Sequence, residues 1–137
     1  MLDTNRLKDA ERIIRIFLIM LLSMSGVYKF MIGFDHFVNW YEPKFTPNAY
    51  QLPMWSIKMY LYTHPVIELV LATGLIFSRT RNITLYAYFS MIIVLMLGHF
   101  AIDEFHEVNG LFDYMFGGLL IFILPHHPTL WWRESPE

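Results

Sequence analysis

Two imidazoles and three carboxylates, His99, Asp103, Glu104, His106 and Glu107, fall within nine residues between two apolar runs. Imidazole and carboxylate are the side chains that exchange protons near neutral pH and that ligate metals in the absence of sulfur. A second set, Lys29, His64 and Glu68, lies within apolar runs. Ionisable groups in or beside hydrocarbon are costly unless paired, hydrated or metal-bound, so both sets are candidate functional groups.

Spacing narrows the chemistry. His64 and Glu68 are four apart, and His99, Asp103 and His106 stand at i, i+4 and i+7, with Glu107 four beyond Asp103; each set shares a face if its helix continues. Glu68, His99 and Lys29 are the candidate catalytic groups, able to bind a ring oxygen such as that of a quinone and to move its proton. His64, Trp40 and Trp55 are candidate contacts to a bound cofactor, and His99, Asp103, His106 and Glu107 are candidate ligands for Fe, Zn, Mn or Cu. A plainer reading stands beside each of these: a Lys29–Glu68 salt bridge between two helices, a structural His99, and a solvated acidic loop after it. A haem held by His64 and His99 is geometrically conceivable. Histidine boxes of the membrane di-iron type, phosphate-cradling loops, GxSxG and HExxH are all missing from the sequence.

These groups need a scaffold, and the composition says which solvent it faces. The 137 residues are 55% hydrophobic and 18% aromatic with only 16% charged, the profile of a polytopic membrane protein. A net charge of −2 gives no electrostatic case for nucleic acid. No cysteine is present, which excludes disulfides, Fe–S clusters and thiol chemistry.

Hydrophobic runs predict an all-α fold, a single transmembrane four-helix bundle over 1–137, with helices at about 13–32, 57–77, 83–102 and 108–124. A charged amphipathic lead-in precedes the first. Between helices one and two, 34–56 carries Pro43, Pro47 and Pro53 with Trp40, Tyr41, Phe45, Tyr50 and Trp55, and is expected as an aromatic interfacial loop. Pro65 is a kink device in the second helix, and Gly117-Gly118 permits close packing of the fourth. Pro125-His126-His127-Pro128 reads as an exposed helix stop, followed by an interfacial anchor of Trp131, Trp132 and Arg133. Seven of the ten basic residues fall on the side of the termini, which predicts both termini in the cytoplasm of an integral membrane protein. All intramembrane ionisable groups are then expected in the outer half of the bundle.

Over about 13–124 the chain resembles the DoxX-like family of small four-helix membrane proteins. The resemblance rests on Ser25-Gly26-x-x-Lys29-Phe30, on His64-Pro65-x-x-Glu68-Leu69 with Gly74-Leu75 ahead of Arg79 and Arg81, on His99, and on Asn109-Gly110-Leu111. It implies a quinone-linked membrane redox setting, since named relatives are subunits of a thiosulfate:quinone oxidoreductase, and it makes Lys29, Glu68 and His99 the family's polar positions. The long aromatic loop and the acidic insert depart from that pattern. They suit an accessory subunit docked in the bilayer on larger membrane proteins. Three readings thus stand open: a quinone-linked redox subunit, a non-catalytic accessory subunit of a larger complex, and a metal-binding membrane protein; whether the chain is an enzyme is left undecided.

Overall fold

The computed structural model describes residues 3–45 and 52–130. Pro47, Tyr50 and the expected anchor Trp131, Trp132 and Arg133 lie outside the described residues. Five α-helices and one 3-10 turn are found, with no strand among the described residues: α1 Thr4–Ile32, α2 Phe34–Tyr41, the 3-10 turn Glu42–Phe45, α3 Met54–Ile76, α4 Arg81–Ala101 and α5 Phe105–Ile123.

The charged lead-in does not stand apart from the first span. Asp3 caps α1 by accepting from the Asn5 N–H at 3.1 Å, and no proline interrupts the chain before Gly33, so one helix of 29 residues includes both. Gly33, at φ 88°, ends α1 in a conformation that glycine adopts without penalty, and α2 begins at once. The segment expected as a loop is therefore helical in its first half. Phe34–Tyr41 contains no proline, and its Phe37 and Val38 bury against Ile57 and Leu61 of α3.

The four long helices alternate in direction and pack as a ring, α1 against α3 and α5, and α4 against α3 and α5. Leu18, Leu22, Leu71, Leu75, Leu85, Tyr88 and Ile121 fill its centre. A Cβ at Gly26 would sit 2.8 Å from Leu69 Cγ and 3.1 Å from the Pro65 carbonyl oxygen, so glycine is what lets α1 and α3 approach. Gly118 meets Tyr88 of α4, whereas Gly117 faces open space. α1, α3 and α4 are each long and apolar enough to cross a membrane. The expected fourth span, α5, has 19 residues, but His106, Glu107, Asn109 and Asp113 make its first half polar, and it does not reach that composition.

Candidate functional site

Glu68 lies near the middle of α3 and is buried. Lys29, near the end of α1, donates to both of its carboxylate oxygens at 2.7 Å, and to Ser25 Oγ one turn back at 3.0 Å. Ser25 Oγ in turn donates to Glu68 Oε1 at 2.8 Å. His64, one turn before Glu68, places Nε2 3.3 Å from the same oxygen, while its Nδ1 is 3.2 Å from the Tyr60 hydroxyl. With Glu68 as the acceptor, this network assigns the proton of a neutral His64 to Nε2 and makes Nδ1 the acceptor for Tyr60. Phe37 of α2 closes the cluster from above, its ring centroid 5.4 Å from Lys29 Nζ.

This cluster forms one wall of a partly open cavity of about 630 Å³ lined by residues of α1, α2, α3, α4 and α5. The remaining lining is largely apolar, including Leu22, Ile57, Leu61, Met91 and Leu95, and His99 and Tyr114 also reach it. Size and lining match what amphipathic ring ligands occupy: a mostly apolar chamber with a few convergent polar groups.

Ion pairs hold the segments beside Phe45 and His99, two residues of the cavity lining. Lys44 of the 3-10 turn donates to Glu104 Oε1 at 2.5 Å, and His99 Nδ1 is 2.9 Å from Glu104 Oε2. Burial alone would raise the Glu104 carboxyl, but the hydrogen bonds from Lys44 and His99 outweigh it and hold the group below the usual carboxylate range. The hydrogen bond to Glu104 likewise holds the Lys44 ammonium above its ordinary value. Two further contacts tie α2 and the turn to α3, Tyr62 to Asp35 at 2.8 Å and Lys58 to Glu42 at 2.8 Å.

The structure thus brings Lys29, His64, Glu68 and His99 to one cavity. It does not build the shared face expected from His99, Asp103 and His106. α4 stops at Ala101, and Asp103 takes φ 59°, a left-handed turn that redirects the chain. His99 engages Glu104 instead, and Asp103, His106 and Glu107 are exposed. Among the described residues no group of three or more His, Asp or Glu side chains is placed to hold a metal. Trp40 and Trp55 are 63% and 68% exposed and do not line the cavity. Trp40 instead lies 5.8 Å from Lys44 Nζ.

A second polar cluster sits at the opposite end of the bundle, where the sequence suggested only a charged amphipathic lead-in and, at Arg79 and Arg81, a basic turn. Glu11 and Arg15 are wholly buried, and Arg81 nearly so. Arg81 donates from Nε to Glu11 Oε1 at 2.9 Å and from Nη2 to the Ile121 carbonyl. Arg15 donates to the His127 carbonyl at 2.8 Å, and the His127 N–H donates to Glu11 Oε2 at 3.2 Å. The Pro-His-His-Pro segment is therefore a strap across the cluster, not a free helix stop. Burial first, and then the charges of Arg15 and Arg81, lower the His126 pKa and favour its neutral form. Not all intramembrane ionisable groups gather at one end, because Glu11 and Arg15 continue the buried stripe of Leu18, Leu22 and Gly26 along α1. That spacing of three and four was the signal available in the sequence.

The family profile of the methylamine utilisation protein MauE matches residues 8–103, a stretch that contains Lys29, His64, Glu68 and His99. The chain belongs to the MauE family. Together with three helices able to cross a bilayer, this makes it an integral membrane protein. Compared with curated proteins and with solved structures, the chain matches none.

Proposed function

We propose that this MauE-family protein is an accessory membrane subunit of an oxidation system, and that its cavity binds the headgroup of a quinone or a ring of similar size and polarity. The observation that carries this reading is the apolar chamber of about 630 Å³ whose polar wall is the Lys29–Glu68–His64–Tyr60 network. The family's name supports a setting in methylamine utilisation, and the DoxX-like pattern of Lys29, Glu68 and His99 supports a quinone link. Among the described residues, Arg6, Lys8, Arg12, Arg15, Arg79 and Arg81 lie toward the strap end and Lys29, Lys44 and Lys58 away from it, which supports cytoplasmic termini, and α5 would complete the ring as a fourth span.

A quinone supplies the electron-accepting chemistry, with electrons delivered by a partner. The chain holds the ring and handles protons. Lys29 and Tyr60 border the chamber with their N–H and O–H groups engaged by Glu68, Ser25 and His64, so a ring oxygen would exchange into one of these bonds; His64 links the Tyr60 hydroxyl to the Glu68 carboxylate, which gives a proton a continuous hydrogen-bonded route from Tyr60 to the ion pair. His99, oriented through Nδ1 by Glu104, keeps Nε2 as its second proton site.

Titration of the purified protein with a short-tailed benzoquinone tests this. Glu68→Gln is expected to weaken binding roughly tenfold. Gly98→Phe, which adds a ring to the cavity lining at a position where a Cβ would meet only Phe45, is expected to abolish it. Unchanged binding in both variants removes the cavity from the role.

A second reading has its own observation. Both oxygens of Glu68, Lys29 and Ser25 are satisfied within the cluster, as a purely structural clasp requires. On that reading the subunit is non-catalytic, and native membranes yield it only within a larger assembly.

A further inference from the structure

On the flank of the bundle, α1 and α5 leave a groove of about 500 Å³ between Phe17, Leu18 and Leu21 on one side and Gly110, Asp113 and Gly117 on the other. Its depth follows from α1. Leu18 and Leu21 lie midway along the apolar stretch that begins at Ile13, with Leu21 about 12 Å above that residue at the helical rise. Asp113 is exposed there, and among the described residues its carboxylate has no hydrogen-bond or ion-pair partner. The rotation of α5 is fixed from behind, where Gly118 packs on Tyr88 and the Tyr88 hydroxyl donates to the Tyr114 carbonyl at 2.8 Å. Gly117 and Gly110, on the face of Asp113, have nothing within 4 Å of where a Cβ would stand.

With α5 as the fourth span proposed above, Asp113 is a carboxylate at mid-depth on a lipid-facing surface; it requires a donor, and acyl chains provide none. Two open glycines on either side of it allow a helix backbone to approach closely. We infer that this groove seats a transmembrane helix of a different protein, one that carries a basic side chain at mid-depth to meet Asp113. A second copy of this chain does not meet the requirement. Its Lys29 is engaged by Glu68, its Arg15 and Arg81 by Glu11 and the strap, and its Lys44 and Lys58 by Glu104 and Glu42. Parallel copies would also set Asp113 against Asp113. The inference is independent of ring binding, since the groove shares Leu21 and Tyr114 with the cavity but none of its charged groups.

The full chain, labelled at one introduced cysteine in a sequence that has none, is reconstituted in phosphatidylcholine vesicles with a labelled Leu/Ala peptide of about 20 residues. The peptide carries either Lys or Leu at its centre, and energy transfer reports association. The Lys peptide is expected to bind about 3- to 30-fold more tightly than the Leu peptide. Asp113→Leu, on an exposed position, is expected to erase that preference, and Asp113→Lys to transfer it to a peptide with central Glu. Gly117→Phe is expected to weaken all of them. Equal binding of Lys and Leu peptides to the native chain overturns the inference. So does energy transfer between differently labelled copies of the chain that outcompetes the Lys peptide, which would assign the groove to self-association.

Discussion

Lys29 and Glu68, 39 residues apart in the chain, meet in a two-point contact with 2.7 Å to each carboxylate oxygen, joining α1 to α3. Side-chain exposures of 15% and 6% place this pair away from water. Desolvation of both ions is offset only while both are present, so removing one leaves an uncompensated charge, whereas removing both does not.

Lys29→Met and Glu68→Leu are each expected to destabilise the fold by about 3–5 kcal/mol in reversible unfolding from detergent micelles, and the double variant by far less than the sum. Additive losses would mean that the two groups do not depend on each other.

The opposite cluster gives an order of effects. Among the described residues Glu11 is the one carboxylate paired with Arg15 and Arg81, and Glu11→Gln removes that counter-charge from two buried guanidiniums. Arg15→Met removes a group whose Nε and Nη1 have no hydrogen-bond partner. Glu11→Gln is therefore expected to cost about 3–5 kcal/mol and Arg15→Met clearly less. The reverse order, read in the same unfolding assay, would show that Glu11 is not the keystone of that end.

The Lys44–Glu104 contact beside the cavity has a defined pH window. Glu104 titrates below its ordinary value in the folded chain, so its contribution is complete at neutral pH and is lost as pH falls through that lowered pKa. Lys44 titrates above its ordinary value, so the contact also persists through the alkaline range until that raised pKa is passed. A nitroxide on Asn39→Cys is expected to keep constant mobility from pH 6 to 9 and to loosen only in acid, below the ordinary glutamate range. Glu104→Gln is expected to be loose throughout. Mobility that changes near pH 6.5 would assign the control to an imidazole instead.

Much of the scaffold was legible because apolar length is a local property. Starts and ends of α3, α4 and α5 fall within three residues of where the runs placed them. The Lys29–Glu68 pair was legible because two opposite charges in adjacent apolar helices have few other ways to be satisfied. What was not legible depended on turns and tertiary burial. The imidazole and carboxylate spacing after His99 implied one face only if α4 continued, and the left-handed Asp103 ends that premise. Glu11 and Arg15 read only as part of a charged amphipathic lead-in because their partners, Arg81 and the His127 backbone, arrive from 70 and 116 residues away from Glu11. In α2, the prolines that follow Tyr41 masked a short amphipathic turn of helix ahead of them.

The central claim is that a quinone-class ring enters the chamber and touches its polar wall. Photolabelling with an azido-benzoquinone, followed by peptide mapping, tests it most directly. Label is expected on cavity residues of α3 and α4 such as Tyr60, Met91 and Leu95, competed by unmodified quinone and lost in Gly98→Phe. Label confined to lipid-facing residues such as Met31 and Ile83, and indifferent to Gly98→Phe, would contradict it.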